Sequence, residues 1–459
     1  MNPVPASEEL INTTTLNKRK NIVVNTISII KLLVMMLLLA LFIGQWVQYK
    51  HIGLFYDESF YSLGFFCISV LILFFDFLTR IKHNCLCCLR PKGHLVVSSI
   101  SLLILIPVAL WLMITTIVQW CKLPQFCYGP LAFIHEDGTR IHWCTYKQTK
   151  THLSGQSPES SSKSNYHSVF VNSTQFSYQI PGIKTQYSYN LPHTISKFFV
   201  MSDTHNNTKY TAPLNNVDFD FLQHNGDLCK RGHLNELQTG FKNWPTKPML
   251  FATGNHDYGY QQGQFVKYVT QRPMNYFQKI NNLFFFSVYI QHGLENDAFT
   301  FLSQNAIKAI SAEHVFISVH FPPYATGKYG ANKSLSLQME NFIDSHTELK
   351  IRAVFSGHNH NFAAFRRNYL MYFINGVGGG SLHPVYDQSE MGGRVWKTES
   401  LHGPQEVIIG DDASYGYQYH LDSWLKYTRT EVEFQDNKIV YAVRDLDTDT
   451  ILTTYEQSF

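Results

Sequence analysis

Lys197-Phe-Phe-Val-Met-Ser-Asp-Thr-His205 decides how this chain is read, because an apolar run of β-forming residues stops abruptly at a carboxylate and an imidazole. The pattern returns in Pro248-Met-Leu-Phe-Ala-Thr-Gly-Asn-His256, His314-Val-Phe-Ile-Ser-Val-His320 and Ile351-Arg-Ala-Val-Phe-Ser-Gly-His358. Apolar residues in continuous rather than alternating runs predict strands buried on both faces, and open α/β sheets carry ligands beyond the carboxyl ends of such strands. Between these strands, Gln304 to Ala312 and Leu335 to Ser345 have the periodicity of crossover helices. The tail returns to β character at Tyr415 to His420, Tyr427 to Phe434 and Ile439 to Arg444, which predicts strands completing a second sheet.

Five polar clusters sit at the predicted strand ends: Asp203-Thr-His205, Gly226-Asp227, Gly254-Asn-His-Asp257, His320 and Gly357-His-Asn-His360. Any one of them arises easily by chance, and an isolated strand-end histidine is more often an ordinary surface or core residue. The ordered set is specific. Two divalent ions bring about four positive charges and two aspartates cancel about half, the other donors being neutral. Such a site stays electrophilic enough to bind an anionic phosphate ester and to activate water near neutral pH. Glycines before Asp227, Asn255 and His358 let the backbone come close. The run Gly376-Val-Gly-Gly-Gly380 is expected either to do the same beside the site or to be an ordinary loop.

Over roughly Lys197 to Arg444 this set resembles the calcineurin-like metallophosphoesterases. The resemblance implies an α/β (α+β) four-layer β-sandwich flanked by helices. It implies that Asp203, His205 and His360 ligate a first metal, that Asn255, His320 and His358 ligate a second, and that Asp227 bridges both. It further implies attack by a metal-bridging hydroxide, with His256 and Asn255 contacting substrate and His256 protonating the leaving group; Asn359 is a spacer without a role. A β domain ahead of the catalytic one, His320-Phe-Pro-Pro-Tyr324 and the later glycine run are similar in layout to the purple acid phosphatase branch. The chain departs from that branch at His205, where glycine is usual, and at Lys230, where a metal-binding tyrosine is usual. Metal identity therefore stays open among iron, manganese and zinc, and no purple charge-transfer band is expected. Tyr258, Tyr260, Phe321 and Tyr324 adjoin the motifs and either line a pocket or pack.

Upstream, Ile29 to Val47, Phe60 to Leu78 and Leu95 to Trp120 each reach the ~20 apolar residues that cross about 30 Å of hydrocarbon. Lys18, Arg19 and Lys20 before the first stretch, and Arg80, Lys82, Arg90 and Lys92 before the third, predict a cytoplasmic amino terminus. The large domain after Trp120 is then extracellular or lumenal, at the plasma membrane or an endomembrane. Sequons at Asn172-Ser-Thr and Asn332-Lys-Ser, and two possible disulfides among Cys121, Cys127, Cys144 and Cys229, agree with that side and with a glycoprotein. Cys85, Cys87 and Cys88 lack the second pair that a zinc site needs and are better read as S-acylated or free.

Short β-forming runs from Phe126 to Asn190, interrupted by the polar stretch Ser154 to Ser164, predict a small antiparallel domain. The expected organisation is a cytoplasmic tail at 1–27, three membrane helices at 28–120, a small fibronectin-like β domain at 121–195 and the metallophosphoesterase domain at 196–459. A net charge of +3 with 15% charged residues carries no electrostatic signature of nucleic-acid binding. The expected partner is a phosphate ester, and nothing in the pattern fixes an oligomeric state. Two other functions fit the same sequence. One is a phosphodiesterase acting on a lipid-derived or nucleotide substrate, and the other is a receptor or adhesion module that kept the fold without turnover.

Overall fold

Alternation along single strands sets the layers. In the computed structural model the described residues are 126–459 apart from 154–162, 181–184, 233–235, 242–243, 259–268, 291–294, 330–332, 388–394, 398–400 and 408–417. The strands of the first half are β1 (Phe126–His135), β2 (Gly138–Lys150), β3 (Lys163–Val171), the hairpin β4 (Gln175–Gln179) and β5 (Gln186–Asn190), then β6 (Lys197–Met201), β7 (Phe221–His224) and β8 (Pro248–Phe251). Next come β9 (Tyr276–Ile280), β10 (Leu283–Val288), β11 (His314–Val319), β12 (Ile351–Ser356), β13 (Phe362–Arg367) and β14 (Leu370–Asn375). The remainder are the hairpin β15 (Val385–Asp387) and β16 (Val395–Lys397), then β17 (Leu401–Val407), β18 (Gln418–Trp424), β19 (Thr428–Gln435), β20 (Lys438–Asp445) and β21 (Ile451–Ser458).

Among these, nine strands form one sheet in the order β21-β20-β19-β6-β7-β8-β1-β2-β3, and eight form a second in the order β17-β18-β13-β14-β12-β11-β10-β9. Phe198 and Val200 of β6 face the second sheet and pack with Phe285, Phe316, Phe355 and Phe373. The intervening Phe199 and Met201 face outward, onto Leu214, Leu237 and Trp244. In the second sheet the outward residues Phe286, Ile317 and Val354 meet α3 (Glu295–Ala309) and α4 (Lys333–Ser345) through Leu302, Leu335 and Phe342. The two short helices preceding these are α1 (Glu236–Gly240) and α2 (Asn255–Tyr258). The result is a sandwich of two sheets with helices outside, the mixed α/β architecture expected. The Phe198 ring meets Phe285 and Phe316 edge-on at 5.5 and 5.4 Å. A buried phenylalanine of this kind contributes about 1.5–3 kcal/mol from area alone.

Parallel pairing of β6 with β7, β7 with β8, β10 with β11 and β11 with β12 points their carboxyl ends to one edge of each sheet. The helices expected near Gln304 and Leu335 are present as the crossovers α3 and α4.

Three expectations change. The strands from 126 onward do not form a separate fibronectin-like domain, because β1 pairs in parallel with β8 and carries β2 and β3 into the catalytic sheet. Pro124–Phe459 is accordingly one compact unit. Of the tail strands, β18 joins the second sheet, whereas β19 pairs with β6 and takes β20 and β21 into the first. Cys127 and Cys144 form a disulfide between β1 and β2, while Cys229 is a free thiol in the core, so Cys229 takes no part in a second bridge. The three expected membrane spans, the cytoplasmic tail, Cys121, Asn332 and most of the polar stretch Ser154 to Ser164 lie outside the described residues. Among the described residues no helix is long and apolar enough to cross a membrane.

Candidate metal centre

Four of the candidate ligands leave their strands at sharp turns. Asp203, His205, Asp227 and His358 all have left-handed backbones, with φ of 54°, 47°, 54° and 67°. Side-chain-bearing residues adopt that region at a cost of about 1–3 kcal/mol each, and such outliers gather where function needs them. Gly226, at φ 96°, prepares the turn into Asp227, and a Cβ there would stand 2.8 Å from His320 Nδ1. Backbone bonds lock the loops together: Asp203 N–H donates to Gly226 O at 2.9 Å, and His205 N–H to Asp227 O at 3.1 Å. The glycine run closes the far side, where Gly378 and Gly380 N–H donate to Ser202 O and Asp203 O at 2.9 and 2.7 Å. A Cβ on Gly376 would fall 1.9 Å from Asn359 O, so the run is a close approach to the site rather than an ordinary loop.

The side chains converge. His205 Nε2 and His360 Nε2 are 3.2 Å apart, and they stand 3.8 and 3.4 Å from Asp203 Oδ1. His320 Nε2 lies 3.2 Å from Asp227 Oδ2 and 3.1 Å from Asn255 Oδ1. His358 Nδ1 also lies 3.1 Å from Asn255 Oδ1. Asp227 Oδ2 is 3.7 Å from His205 Nε2 and 3.9 Å from His256 Nε2, which puts it between the two groups. Three overlapping sets of metal-capable atoms result: Asp203, His205 and His360; His205, Asp227 and His256; and Asp203, Asp227 and His320.

Second partners aim the imidazoles. His320 Nδ1 donates to Asn225 O at 2.8 Å, His360 Nδ1 to Ser381 O at 2.6 Å and His256 Nδ1 to Lys230 O at 2.5 Å. Each thereby turns Nε2 toward the centre, the usual way in which an outer carbonyl fixes a ligand tautomer. Asp203 Oδ1 is buried and accepts no well-formed hydrogen bond. An unpartnered buried carboxylate oxygen facing two imidazole nitrogens is what a cation would satisfy, so the donor set fits a metal. Electrostatics agree. Burial alone would raise the Asp203 carboxyl, but the charge of His320 and the imidazoles of His205 and His360 hold it well below the usual range. Burial opposes charge on His320 too, yet Asp227 and Asp203 push it up to about 10. Burial lowers His358 to about 3.

Residues 196–362 match the family model described as calcineurin-like phosphoesterase. The chain thus carries a calcineurin-like phosphoesterase domain. It is a hydrolase of phosphate esters, and metal ions are its cofactors. A search of curated proteins finds no match to the sequence. Among solved structures, the purple acid phosphatase PPD1 of yellow lupin (Lupinus luteus) superposes with a TM-score of 0.53 at 10% identity, covering 72% of this chain and 74% of that one. At that identity the likeness is one of fold. PhoD (TM-score 0.40, 11% identity, 73% and 89% coverage) and GAP50, the anchor in the inner membrane complex of Plasmodium (0.41, 14%, 57% and 89%), are more distant.

The phosphoesterase brings all eight sequence-derived site residues, Asp203, His205, Asp227, Asn255, His256, His320, His358 and His360, to one place. Sequence reasoning gave no role to several neighbours. The buried Asp257 carboxylate accepts N–H bonds from Asp227 (2.6 Å), Gly254 (3.0 Å) and Cys229 (3.0 Å), tying the β7 and β8 loops together. Burial and the adjacent Asp227 charge raise Asp257 to about 8. Its place in the Gly254-Asn-His-Asp257 cluster was the available signal. His383 had none. Its ring stacks flat on His360 at 4.1 Å, and its Nδ1 accepts the His360 N–H at 3.3 Å. Asn359 is more than a spacer, since Oδ1 accepts the Tyr329 N–H at 3.0 Å.

Of the aromatic candidates, Phe321 packs on His358 at 4.3 Å, and Tyr258 lies against Tyr289. Tyr324 is a core residue whose hydroxyl, like that of Tyr372, donates to Glu340. Tyr260 lies outside the described residues.

Proposed function

We propose that this phosphoesterase is dinuclear. Asp203, His205 and His360 would hold one ion, Asn255, His320 and His358 the other, and Asp227 would bridge them. The carrying observation is the position of Asp227 Oδ2, 3.2 Å from His320 Nε2 and 3.7 Å from His205 Nε2, between the two donor groups. When bound, the cations supply Lewis acidity at the phosphoryl oxygens and lower the pKa of water between them. His256, two-fifths exposed, faces the site with Nε2 because Nδ1–H is held by Lys230 O, and so it can pass a proton to the departing oxygen. Its backbone N–H donates to Asp227 Oδ1 at 2.8 Å, which couples the proton donor to the bridging carboxylate. Asp257 keeps that carboxylate's backbone in its strained turn. Iron, manganese and zinc all suit a set of imidazole, carboxylate and amide donors.

The domain is assigned to the extracellular or lumenal side of a membrane, anchored by three helices within 28–120. The apolar stretches and basic flanks support this assignment. So do the Cys127–Cys144 disulfide, which an oxidising compartment would maintain, and the exposed Asn172 sequon. Purified full-length protein should cleave p-nitrophenyl phosphate, lose activity to a chelator and regain it with added metal. Chelator-insensitive turnover would overturn the dinuclear reading. Relative rates on mono- and bis-nitrophenyl esters separate a phosphatase from a diesterase. In sealed vesicles the domain should resist protease added from the cytosolic face, and digestion there would reverse the orientation.

A further inference from the structure

The ligand His358 differs from its fellows in what surrounds it. His320 and His360 are each anchored by a backbone carbonyl, whereas the His358 ring lies between two aromatic side chains, Phe321 at 4.3 Å and Tyr329 at 4.5 Å with 28° between the planes. Phe321 is partly buried. Tyr329 is 54% exposed, and among the described residues it is the one strongly exposed large aromatic beside the site.

That ring is not a loose surface side chain. Its backbone N–H is held by the fully buried Asn359, and its edge meets His383 at 5.4 Å and 85°. The turn before it is fixed as well, since a Cβ on Gly327 would collide with Asn361 Oδ1 and Asn359 Oδ1 at 2.4 and 2.6 Å. Between Gly357 and Asn361, then, the chain supplies both His358 and the clamp that presents Tyr329. An aromatic ring fixed in advance loses little entropy on meeting a flat ligand, and stacked rings attract beyond their buried area. Lys328 is exposed, with Nζ 5.4 Å from the Tyr329 ring centroid, and it adds a positive charge beside the same surface.

We propose that Tyr329 is a binding subsite for the leaving group, and that the phosphoesterase favours esters whose alcohol is a planar aromatic group, as in an aryl or nucleoside phosphate. The inference rests on the dinuclear reading above, which places the phosphoryl group beside His358.

The test uses the full-length, metal-loaded protein with p-nitrophenyl phosphate and, as the non-planar ester, glycerol 2-phosphate. Tyr329→Ala should raise KM for the aryl ester about fivefold to tenfold, the size of one lost aromatic contact. It should leave KM for the alkyl ester, bound metal and inhibition by inorganic phosphate within about twofold. Tyr329→Phe should restore the wild-type aryl KM. Equal changes for both esters, or loss of metal in Tyr329→Ala, would show that the ring only steadies His358 and would overturn the subsite. Wild-type protein that binds two metals yet cleaves neither ester would instead bring down the phosphoesterase reading on which the subsite depends.

Discussion

The nine-stranded sheet delivers Asp203, His205, Asp227, Asn255 and His256 to the site, while the eight-stranded sheet delivers His320, His358 and His360. Both negative charges come from the first sheet, on backbones bent into the left-handed region and held by N–H groups. The second sheet contributes imidazoles, aimed by carbonyls or by neighbouring rings. Carboxylates that close repel each other and raise each other's pKa unless cations stand between them. Mixing the sheets relieves that. Each aspartate faces an imidazole from the opposite sheet, so the site exists only when the sandwich is closed.

Substitutions in the two sheets should separate these contributions. The largest effect is expected from Asp227→Asn, which removes the shared charge while preserving shape. Hydrolysis should fall about a thousandfold with the circular dichroism spectrum unchanged. Full activity in that variant would break the comparison at its centre. Asp257→Ala leaves three buried N–H groups without their acceptor, and metal affinity should fall about 10–100-fold in equilibrium dialysis. A second-sheet change that spares all carboxylates, His383→Leu, should cost less than Asp257→Ala in the same assay, because it removes a stack rather than an anchor for a charged loop.

Packing at the loops gives a smaller, structural effect. A Cβ on Gly254 would sit 2.2 Å from Asp227 Oδ1, and one on Gly357 would sit 2.0 Å from Ser202 Oγ. Gly254→Ala and Gly357→Ala should each destabilise by about 1–3 kcal/mol, read from urea midpoints. Similar values would indicate that the two sheets are equally tight at the site.

The finest comparison is within the second sheet, where His320 is pushed up to about 10 and His358 down to about 3 before metal arrives. Since His320 is protonated at pH 7 in the metal-free protein, metal loading must expel its proton, whereas His358 has none to lose. Stability from charged His320 is fully present below its unfolded value of about 6.5 and is lost as pH rises through about 10, while metal affinity rises over the same range. Calorimetry in two buffers of different ionisation enthalpy should register this proton release at pH 7, and His320→Gln should lower it by about one proton.

Much of this was legible in the chain because apolar runs ending in Asp, His or Asn mark both the strand and its functional end. The order of the eight residues, and the glycines that let their loops approach, needed no three-dimensional information. Tyr329, Ser381 and His383 were not legible. They act across long sequence separations, through a ring face or a carbonyl, and no local pattern distinguishes them from other tyrosines, serines and histidines. The tail misled for a related reason, since alternation in β19 and β20 reports a half-buried strand but not which sheet it borders.

Sequence by itself therefore determined the elements, the identity of the donors and the chemistry they suit, because these follow from local periodicity and side-chain type. Tertiary structure alone decided that β1 docks beside β8 rather than founding a domain of its own, and that Asp227 stands between His205 and His320. Strand neighbours are chosen by backbone hydrogen bonds that every residue can make equally well, so the choice rests on how whole faces pack.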